Sequence, residues 1–290
     1  MGPVVYLNGK LVPENEAVIS IYDHGFLYGD GLFEGIRCYD RKVFKLKEHI
    51  ERLFLGAKAI GIEIPMTQEE FIDCVLNVVR TNEVVDGYIR VTISRGIGLG
   101  LDPRVCKKPT IAISTSKLSL YPEEMYKNGL HVVTCSTRVP PSQSIEPRIK
   151  LTGKYICNIM AKMEANRENA GEGLMLNVEG YIAECTGDNI FIVKNGKIYT
   201  PPPYAGILEG ITRQTVIELA REGGYDVSEK TMTLYDVYSA DECFLTGTAA
   251  EVIPVVKVDE RIIGNGKPGA ITGKLINAFR AYTKREGVPV

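Results

Sequence analysis

The strongest constraint on the fold is a break in the hydrophobic pattern near the middle of the chain. Residues 117–128 are polar and marked by proline, and a new apolar run follows at Leu130–Cys135. On each side of the break, alternating patterns typical of strands give way to the three-and-four spacing typical of amphipathic helices. A chain of 290 residues is also long enough for two hydrophobic cores. We therefore predict a small N-terminal domain over residues 1–119, a linker over 120–129 and a larger domain over 130–290.

The first half predicts paired strands followed by two helices. Turn sequences at Asn8-Gly9 and Asp40-Arg41-Lys42 separate short apolar runs, as in hairpins. Thr67 and Glu70 have the spacing of a capping box at the start of the second helix. The predicted elements are short strands within Val4–Val12, strands at Leu32–Tyr39 and Val43–Leu46, a helix from Glu48 to Ile60, a helix after Thr67, and strands at Tyr88–Ser94 and Thr110–Thr115.

The second half alternates strand and helix patterns. The helix predicted from Ile211 ends at Gly223-Gly224, where glycine can adopt the left-handed cap. The chain as a whole is therefore expected to be α/β or α+β, in two domains with mixed sheets. The other predicted elements are helices at Leu151–Asn166 and Ala270–Thr283 and strands at Leu174–Asn177, Asn189–Val193, Cys243–Leu245 and Val252–Val256.

Charge and hydropathy exclude two classes of partner. The formal net charge is -2 and no run is rich in Lys or Arg, so nucleic-acid binding is not expected. Residues 1–10 lack the basic flank and apolar run of a signal peptide, and no stretch approaches about 18 consecutive apolar residues. We expect no membrane partner and a cytoplasmic location.

The cysteines and histidines do not predict a disulfide framework or a metal site. The seven cysteines are odd in number, dispersed and never in CxxC spacing, which is typical of reduced thiols. The three histidines, His24, His49 and His131, have no i, i+4 partner among themselves. We therefore expect free thiols and no bound metal.

The segment Gly180–Phe191 carries the most specific sequence pattern in the chain. Its text, GYIAECTGDNIF, closely resembles the signature of the class IV aminotransferases, the fold type IV family of pyridoxal-phosphate enzymes. Ordered matches cover nearly the whole chain and resemble the branched-chain amino-acid members of that family. The other matching segments are Tyr28–Arg37, Phe44–Leu53, Tyr88–Arg90, Lys150–Tyr155, Leu208–Arg213 and Thr246–Glu251.

The resemblance implies that pyridoxal 5'-phosphate is held by a lysine amine. In branched-chain members this lysine precedes a tyrosine by five positions, which selects Lys150 and Tyr155 here, with Lys154 as the nearby alternative. Lys150 would also be the catalytic proton shuttle at the substrate Cα. Tyr155 would hydrogen-bond the phenolic oxygen of the cofactor, and Glu184 would keep the pyridine nitrogen protonated.

The phosphate of the cofactor needs backbone amides at a helix start and a cationic side chain. Ile211 and Thr212 open a predicted helix after Gly210, so their amides and the Thr212 hydroxyl can bind an anion. The resemblance implies that Arg52 supplies the cation, that Thr248 adds a second hydroxyl and that Leu208 packs against the cofactor ring.

The resemblance also implies a substrate pocket. The amides of Thr248 and Ala249 would bind the substrate α-carboxylate. Tyr88 and Arg90 alternate along a strand and face one side, where Tyr88 would assist the α-carboxylate and Arg90 would bind the distal carboxylate of glutamate. Two further pairs complete the implied set: Tyr28 and Phe33 as aromatic walls, and Leu99 and Leu101 on a loop that a neighbouring subunit contributes.

Leu99 and Leu101 could equally be the hydrophobic anchors of a surface loop. Family members form dimers or larger assemblies, so at least a homodimer is expected. The chain has no tryptophan, so an indole wall used by some relatives is missing.

The implied reaction is transamination between L-branched-chain amino acids and 2-oxoglutarate, which gives branched-chain 2-oxo acids and L-glutamate. The alternatives within the fold are a D-amino-acid aminotransferase and an aminodeoxychorismate lyase, and outside it a catalytically silent scaffold. Arg90 favours the branched-chain reaction. A pocket for this reaction must accept an aliphatic side chain and, in the other half-reaction, an acidic one, and Arg90 would bind the distal carboxylate of the acidic substrate. The retention of Lys150, Glu184 and Arg52 argues against the scaffold. The sequence does not rank leucine, isoleucine and valine.

Overall fold

The computed structural model describes residues 2–117 and 121–290. These residues form two compact units. The first contains the described residues up to 117 together with 149–154 and 283–290, and the second contains 121–148 and 155–282. This division differs from the predicted one in two ways. Two later segments return to the first unit, and the segment expected as a linker contains a helix that belongs to the second.

The elements are numbered in chain order. The strands are β1 (Val4–Leu7), β2 (Lys10–Pro13), β3 (Gly31–Tyr39), β4 (Lys42–Val43), β5 (Gly87–Ser94), β6 (Thr110–Ser116), β7 (Leu130–Thr134), β8 (Glu172–Leu176), β9 (Ile182–Cys185), β10 (Asn189–Lys194), β11 (Lys197–Thr200), β12 (Val227–Glu229), β13 (Glu242–Gly247), β14 (Glu251–Val258), β15 (Arg261–Ile262) and β16 (Val288–Pro289). The helices are α1 (His24–Tyr28), α2 (Leu46–Ala59), α3 (Gln68–Thr81), α4 (Glu123–Asn128), α5 (Tyr155–Arg167), α6 (Ile211–Glu222), α7 (Leu234–Tyr238) and α8 (Ala270–Arg285).

The first unit is built on a seven-stranded sheet in the order β16-β4-β3-β5-β6-β1-β2. Alternation along β5 buries Ile89, Val91 and Ile93 in the core, which also receives apolar residues of α2 and α3. Tyr88 and Arg90 lie on the other, half-buried face. The sheet therefore separates an apolar core from a face with polar and aromatic side chains.

The predicted capping box of α3 is confirmed. The Glu70 amide donates to the Thr67 hydroxyl at 3.2 Å, and the Glu70 carboxylate accepts from the Thr67 amide at 2.8 Å. These bonds satisfy donors that a helix start leaves without an intrahelical partner. The helix boundary is therefore encoded locally.

The helix predicted from Leu151 begins only at Tyr155. Residues 150–153 instead run beside the start of β3, with an isolated bridge between Leu32 and Leu151 and a turn from residue 152. There the Phe33 amide donates to the Lys150 carbonyl at 3.1 Å. The apolar spacing could not reveal this, because the pairing partner lies more than 100 residues earlier in the chain. Two further bonds continue the pairing, from the Thr152 amide to the Gly31 carbonyl at 2.9 Å and from the Gly153 amide to the Gly29 carbonyl at 3.0 Å.

The second unit is built on a nine-stranded mixed sheet in the order β12-β11-β10-β13-β14-β7-β8-β9, with β15 paired to β14. β8 and β9 are buried along their whole length, and apart from Glu172 and Glu184 their residues are apolar. The rings of Phe191 and Phe244 stack with centroids 4.9 Å apart between neighbouring strands. This second sheet is mixed as predicted, whereas every strand pairing in the sheet of the first unit is antiparallel. The combination of sheets and helices in both units confirms the predicted α/β (α+β) fold class.

Three general features bear on function. All seven cysteines are free thiols. Within residues 2–117 and 121–290, no helix combines the length and apolarity needed to cross a membrane. The same residues contain no cluster of three or more His, Cys, Asp or Glu side chains suited to a metal ion.

Candidate active site

The half-buried face of β3 and β5 carries an aromatic and cationic surface. The guanidinium carbon of Arg90 lies 3.6 Å from the centroid of the Phe33 ring, and its Nε donates to the Thr92 hydroxyl at 3.3 Å. The Tyr88 hydroxyl lies over Gly35, where an added Cβ would come within 2.2 Å of it. Glycine is therefore needed there, because any side chain would displace Tyr88. This face offers aromatic surface and a fixed positive charge.

Lys150 lies beside the same face. Its carbonyl is held by the Phe33 amide, and its Nζ is 4.8 Å from the centroid of the Phe33 ring. Lys154 belongs to the same unit but is only 3% exposed. Sequence reasoning did not foresee the burial of Lys154. The geometry places the Nζ of Lys150 against the aromatic surface.

Arg52 is fixed by a buried carboxylate on the opposite side of β3. Its Nε and Nη2 donate to the two carboxylate oxygens of Glu34 at 2.7 and 2.8 Å, and His49 Nδ1 donates to the same group at 2.7 Å. Burial opposes the ionisation of Glu34, but Arg52 and His49 outweigh it and lower its pKa to about 2. Burial lowers the pKa of His49, and the neighbouring Glu34 opposes this shift. The cluster thus pairs the Glu34 carboxylate with the Arg52 guanidinium and the His49 ring.

Tyr28 is connected to the glycine-rich loop that follows β5. Its hydroxyl accepts a hydrogen bond from the Gly100 amide at 3.2 Å, and the ring of His24 packs edge-on against it at 5.0 Å. Leu99 and Leu101 on that loop are 67% and 83% exposed. The structure therefore brings Tyr28 together with the loop of Leu99 and Leu101.

In the second unit, Glu184 is buried on β9 and paired with polar groups. Its Oε2 accepts hydrogen bonds from the Leu208 amide at 2.8 Å and from Asn189 Nδ2 at 3.3 Å. Asn189 Nδ2 also donates to the Leu208 carbonyl at 2.9 Å. Asn189 thus connects two of the predicted cofactor residues. Tyr155, the first residue of α5, is half-buried.

The start of α6 is suited to an anion. Gly210 is the N-cap residue, and no side chain of the described residues caps the helix. The Thr212 side chain is buried in the first turn. A Cβ at Gly210 would lie 2.1 Å from Asn189 Oδ1, so this cap position needs glycine. The first amide groups of a helix without a side-chain cap can bind a phosphate oxygen.

Thr248 and Ala249 lie in the turn between β13 and β14, and both are half-buried. Gly247 precedes them, and a Cβ there would come within 1.9 Å of Asp188 Oδ1. The Thr246 hydroxyl is buried without a hydrogen-bond partner among the described residues. The half-buried turn therefore follows a strand residue, Thr246, whose hydroxyl can still accept or donate a hydrogen bond.

These features fit the groups that pyridoxal 5'-phosphate requires. Taken by itself, the first unit contains a lysine amine and an oriented guanidinium. The second unit, taken by itself, contains a buried carboxylate and a helix start that no described side chain caps. Sequence reasoning missed Glu34, His49 and Asn189, although all three lie in the matched segments. The i, i+3 spacing of His49 and Arg52 on one helix face is the only local signal that these two act on a common partner.

Comparison with known proteins agrees with this chemistry. The family model described as "Amino-transferase class IV" matches residues 31–258. The branched-chain-amino-acid aminotransferase of Pseudomonas aeruginosa is 40% identical, over 95% of this chain and 91% of its own length. Two solved structures of the T.th. branched-chain amino acid aminotransferase are also similar. One is complexed with N-(5'-phosphopyridoxyl)-L-glutamate (TM-score 0.92, 36% identity, 99% and 96% coverage) and the other with 4-methylvaleric acid (TM-score 0.93, 35% identity, 98% and 95% coverage).

The chain belongs to the class IV aminotransferases. The solved structures confirm the predicted fold type IV architecture. Within the family it is an aminotransferase of the branched-chain amino-acid type.

Proposed function

We propose that the enzyme transfers the amino group of L-branched-chain amino acids to 2-oxoglutarate, giving branched-chain 2-oxo acids and L-glutamate. Pyridoxal 5'-phosphate is the cofactor. The observation that carries the choice of substrates is the contact of Arg90 with the Phe33 ring. One face then offers apolar surface for an aliphatic side chain and a cation for a second carboxylate. The T.th. relative has been solved with both a glutamate adduct and a branched aliphatic acid.

In the first unit, Lys150 Nζ bonds the cofactor and moves the proton at the substrate Cα. Bound pyridoxal 5'-phosphate supplies the electron sink that makes this proton acidic. Arg52 binds the cofactor phosphate, and Tyr88 assists the substrate α-carboxylate. Phe33 forms an aromatic wall for the substrate side chain. The fixed positions of Phe33 and Lys150 on adjacent backbone support these roles.

In the second unit, Glu184 holds the proton on the pyridine nitrogen, and Tyr155 hydrogen-bonds the phenolic oxygen. Leu208 packs against the ring, and its amide is held by Glu184. The phosphate and the substrate α-carboxylate are bound at two places where backbone amides are accessible. The phosphate residues are Ile211, Thr212 and Thr248, and the α-carboxylate residues are Thr248 and Ala249.

Arg90→Met tests the dual use of the pocket. If Arg90 binds the distal carboxylate of glutamate or 2-oxoglutarate, its loss leaves a charge desolvated and unpaired, which costs roughly 2 to 5 kcal/mol. Aliphatic substrates make no such contact. We expect the half-reaction with glutamate to slow by at least about tenfold, and that with leucine or valine to be nearly unchanged. Single-turnover absorbance changes of the cofactor measure each half-reaction separately.

Arg80→Met is the matched control, because Arg80 is an exposed arginine in the last turn of α3. It should leave both half-reactions unchanged. Equal slowing of both half-reactions by Arg90→Met would show that Arg90 binds the α-carboxylate or maintains the fold. That result would remove the main support for 2-oxoglutarate as amino acceptor.

Exposed apolar side chains support the proposal that the enzyme is at least a homodimer. In the second unit, one side of α5 carries four of them at i, i+3, i+4 and i+7 spacing, each more than half exposed: Ile156, Ile159, Met160 and Met163. In the first unit, a second group lies on residues 18–28 and on the loop of Leu99 and Leu101, with Val18, Ile21 and Phe26 among its most exposed members. Contiguous apolar patches of this kind are typical of subunit interfaces. We propose that a second copy of the chain covers both surfaces.

Ile159→Glu and Phe26→Glu test this proposal, one in each surface. A carboxylate buried at an interface without a partner is strongly unfavourable, so each change should lower the mass measured by light scattering to that of a single chain. Val178→Glu, at an exposed valine in the turn before β9, is the control and should leave the mass unchanged. A single-chain mass for the unchanged enzyme would contradict the proposal. The cytoplasmic location stays a prediction.

A further inference from the structure

The contact between Arg52 and Glu34 fixes more than the position of a charge. Guanidinium and carboxylate are both planar, so two parallel bonds at 2.7 and 2.8 Å set the plane and the rotation of the Arg52 head group. A lone arginine on a helix surface would instead sample many rotamers. Glu34 therefore determines the direction in which Arg52 presents its donors.

Glu34 is itself rigidly held. It lies in the middle of β3, in register with Val91 of β5, and its side chain is 1% exposed. His49 lies one turn before Arg52 on α2 and donates a third bond to the same carboxylate. The carboxylate is thus anchored by the sheet on one side and by two residues of one helix face on the other.

The charge of Glu34 does not help an anion to bind. Burial opposes the ionisation of Glu34, but Arg52 and His49 lower its pKa to about 2, so within the cluster of Glu34, His49 and Arg52 the negative carboxylate offsets the positive charge of Arg52. A site that needed only positive potential would be better served by Arg52 without a carboxylate beside it. The benefit of Glu34 to a phosphate site must therefore come from orientation.

We propose that Glu34 is a positioning residue for the cofactor phosphate: it acts through Arg52, and His49 holds Glu34 in place. The proposal rests on the proposed role of Arg52 in binding that phosphate. The proposal predicts that changing Glu34 weakens only the part of cofactor affinity that comes from the phosphate group. The reason is that the cluster lies on the opposite side of β3 from Phe33 and Tyr88.

Comparing two cofactor forms separates this role from a merely structural one. The full chain, freed of cofactor, is titrated with pyridoxal 5'-phosphate and with pyridoxal, which lacks the phosphate. Glu34→Gln removes the negative charge and replaces one of the two acceptor oxygens with a donor NH2 group. Glu34→Asp keeps the charge but shortens the side chain by one methylene. We expect both to weaken binding of pyridoxal 5'-phosphate by at least about tenfold, since charge-assisted bonds are the strong ones. Binding of pyridoxal should change by less than about threefold.

Two further variants complete the test. His49→Asn removes only the supporting bond and should give a smaller loss, again confined to pyridoxal 5'-phosphate. Glu51→Gln is the matched control, because Glu51 is an exposed glutamate directly before Arg52 and its loss changes the local charge equally. It should leave the affinity for either form unchanged.

The outcomes separate this proposal from the proposed function. Equal weakening of both cofactor forms by the Glu34 variants would show a structural role and overturn the proposal. Tighter binding of pyridoxal 5'-phosphate by Glu34→Gln would show that charge, not orientation, dominates, and would also overturn it. If Arg52→Ala selectively weakens pyridoxal 5'-phosphate but the Glu34 variants do not, only the positioning role fails. If Arg52→Ala has no selective effect, the phosphate role of Arg52 fails as well.

Discussion

Lys150→Ala is expected to abolish both transamination and the covalent retention of the cofactor. The Nζ of Lys150 is the amine beside the Phe33 ring, and alanine has no group that can bond the cofactor or carry the proton. Reduction of the unchanged holoenzyme with borohydride, followed by peptide mapping, should place the pyridoxyl group on Lys150. The rate of the variant should fall to that of the uncatalysed background.

Lys154→Ala is the control for this prediction. Lys154 lies four residues later and is buried, so its removal tests whether a nearby lysine can be lost without loss of the covalent bond. The Lys154→Ala protein should retain the pyridoxyl label on Lys150. A label on Lys154 in the unchanged enzyme would show that the assignment is displaced by four residues, and the role proposed for Tyr155 would fail with it.

Glu184→Gln is expected to bind cofactor normally and to transaminate about one to two powers of ten more slowly. An ionised carboxylate stabilises a protonated pyridine nitrogen by a charge-assisted bond worth roughly 1.5 to 3 kcal/mol, and a neutral amide does not. The amide oxygen can still accept the bond from the Leu208 amide, so the local fold should persist. Single-turnover rates at equal cofactor content measure the effect.

Glu179→Gln provides the comparison, because Glu179 is an exposed acid in the turn that precedes the same strand. Its rate should match that of the unchanged enzyme. A near-normal rate for Glu184→Gln would show that a different acid faces the pyridine nitrogen. Loss of cofactor from Glu184→Gln would instead show that Glu184 mainly maintains the binding site.

Local sequence rules predicted the longer elements of the fold and missed those that depend on distant partners. Strong periodicity and the capping box at Thr67 were sufficient for α2 and α3, and alternation was sufficient for β5. Two-residue strands such as β15 and β16 have no periodicity to detect. Residues 151–154 were predicted as the start of a helix because their pattern is compatible with one, and only the bonds that this segment makes to the start of β3 decide otherwise.

The candidate site was predicted mainly from resemblance, and residues that act through others were missed. A residue that touches cofactor or substrate stands out by its place in a family motif. Glu34 and Asn189 lie within such motifs, but their partners Arg52 and Leu208 are brought to them by folding. No spacing rule predicts that a strand glutamate will meet a helix arginine 18 positions later. The roles of Lys150, Glu184 and the other site residues stay predictions until the variants above are measured.

The first unit contains two segments from later in the chain, residues 149–154 and 283–290, and they impose an order on its assembly during protein synthesis. Its sheet ends on β16, whose residues are translated after the whole of the second unit. Most strands of this sheet are synthesised early. However, β4 has no β16 to pair with, and the start of β3 has no residues 150–153 to bond, until those later parts of the chain are synthesised. Domains made first generally fold first, but here long-range pairing delays completion. The nascent first unit must avoid aggregation while its sheet edges are open, and Lys150 can take its place beside Phe33 only after residues 150–153 have been synthesised.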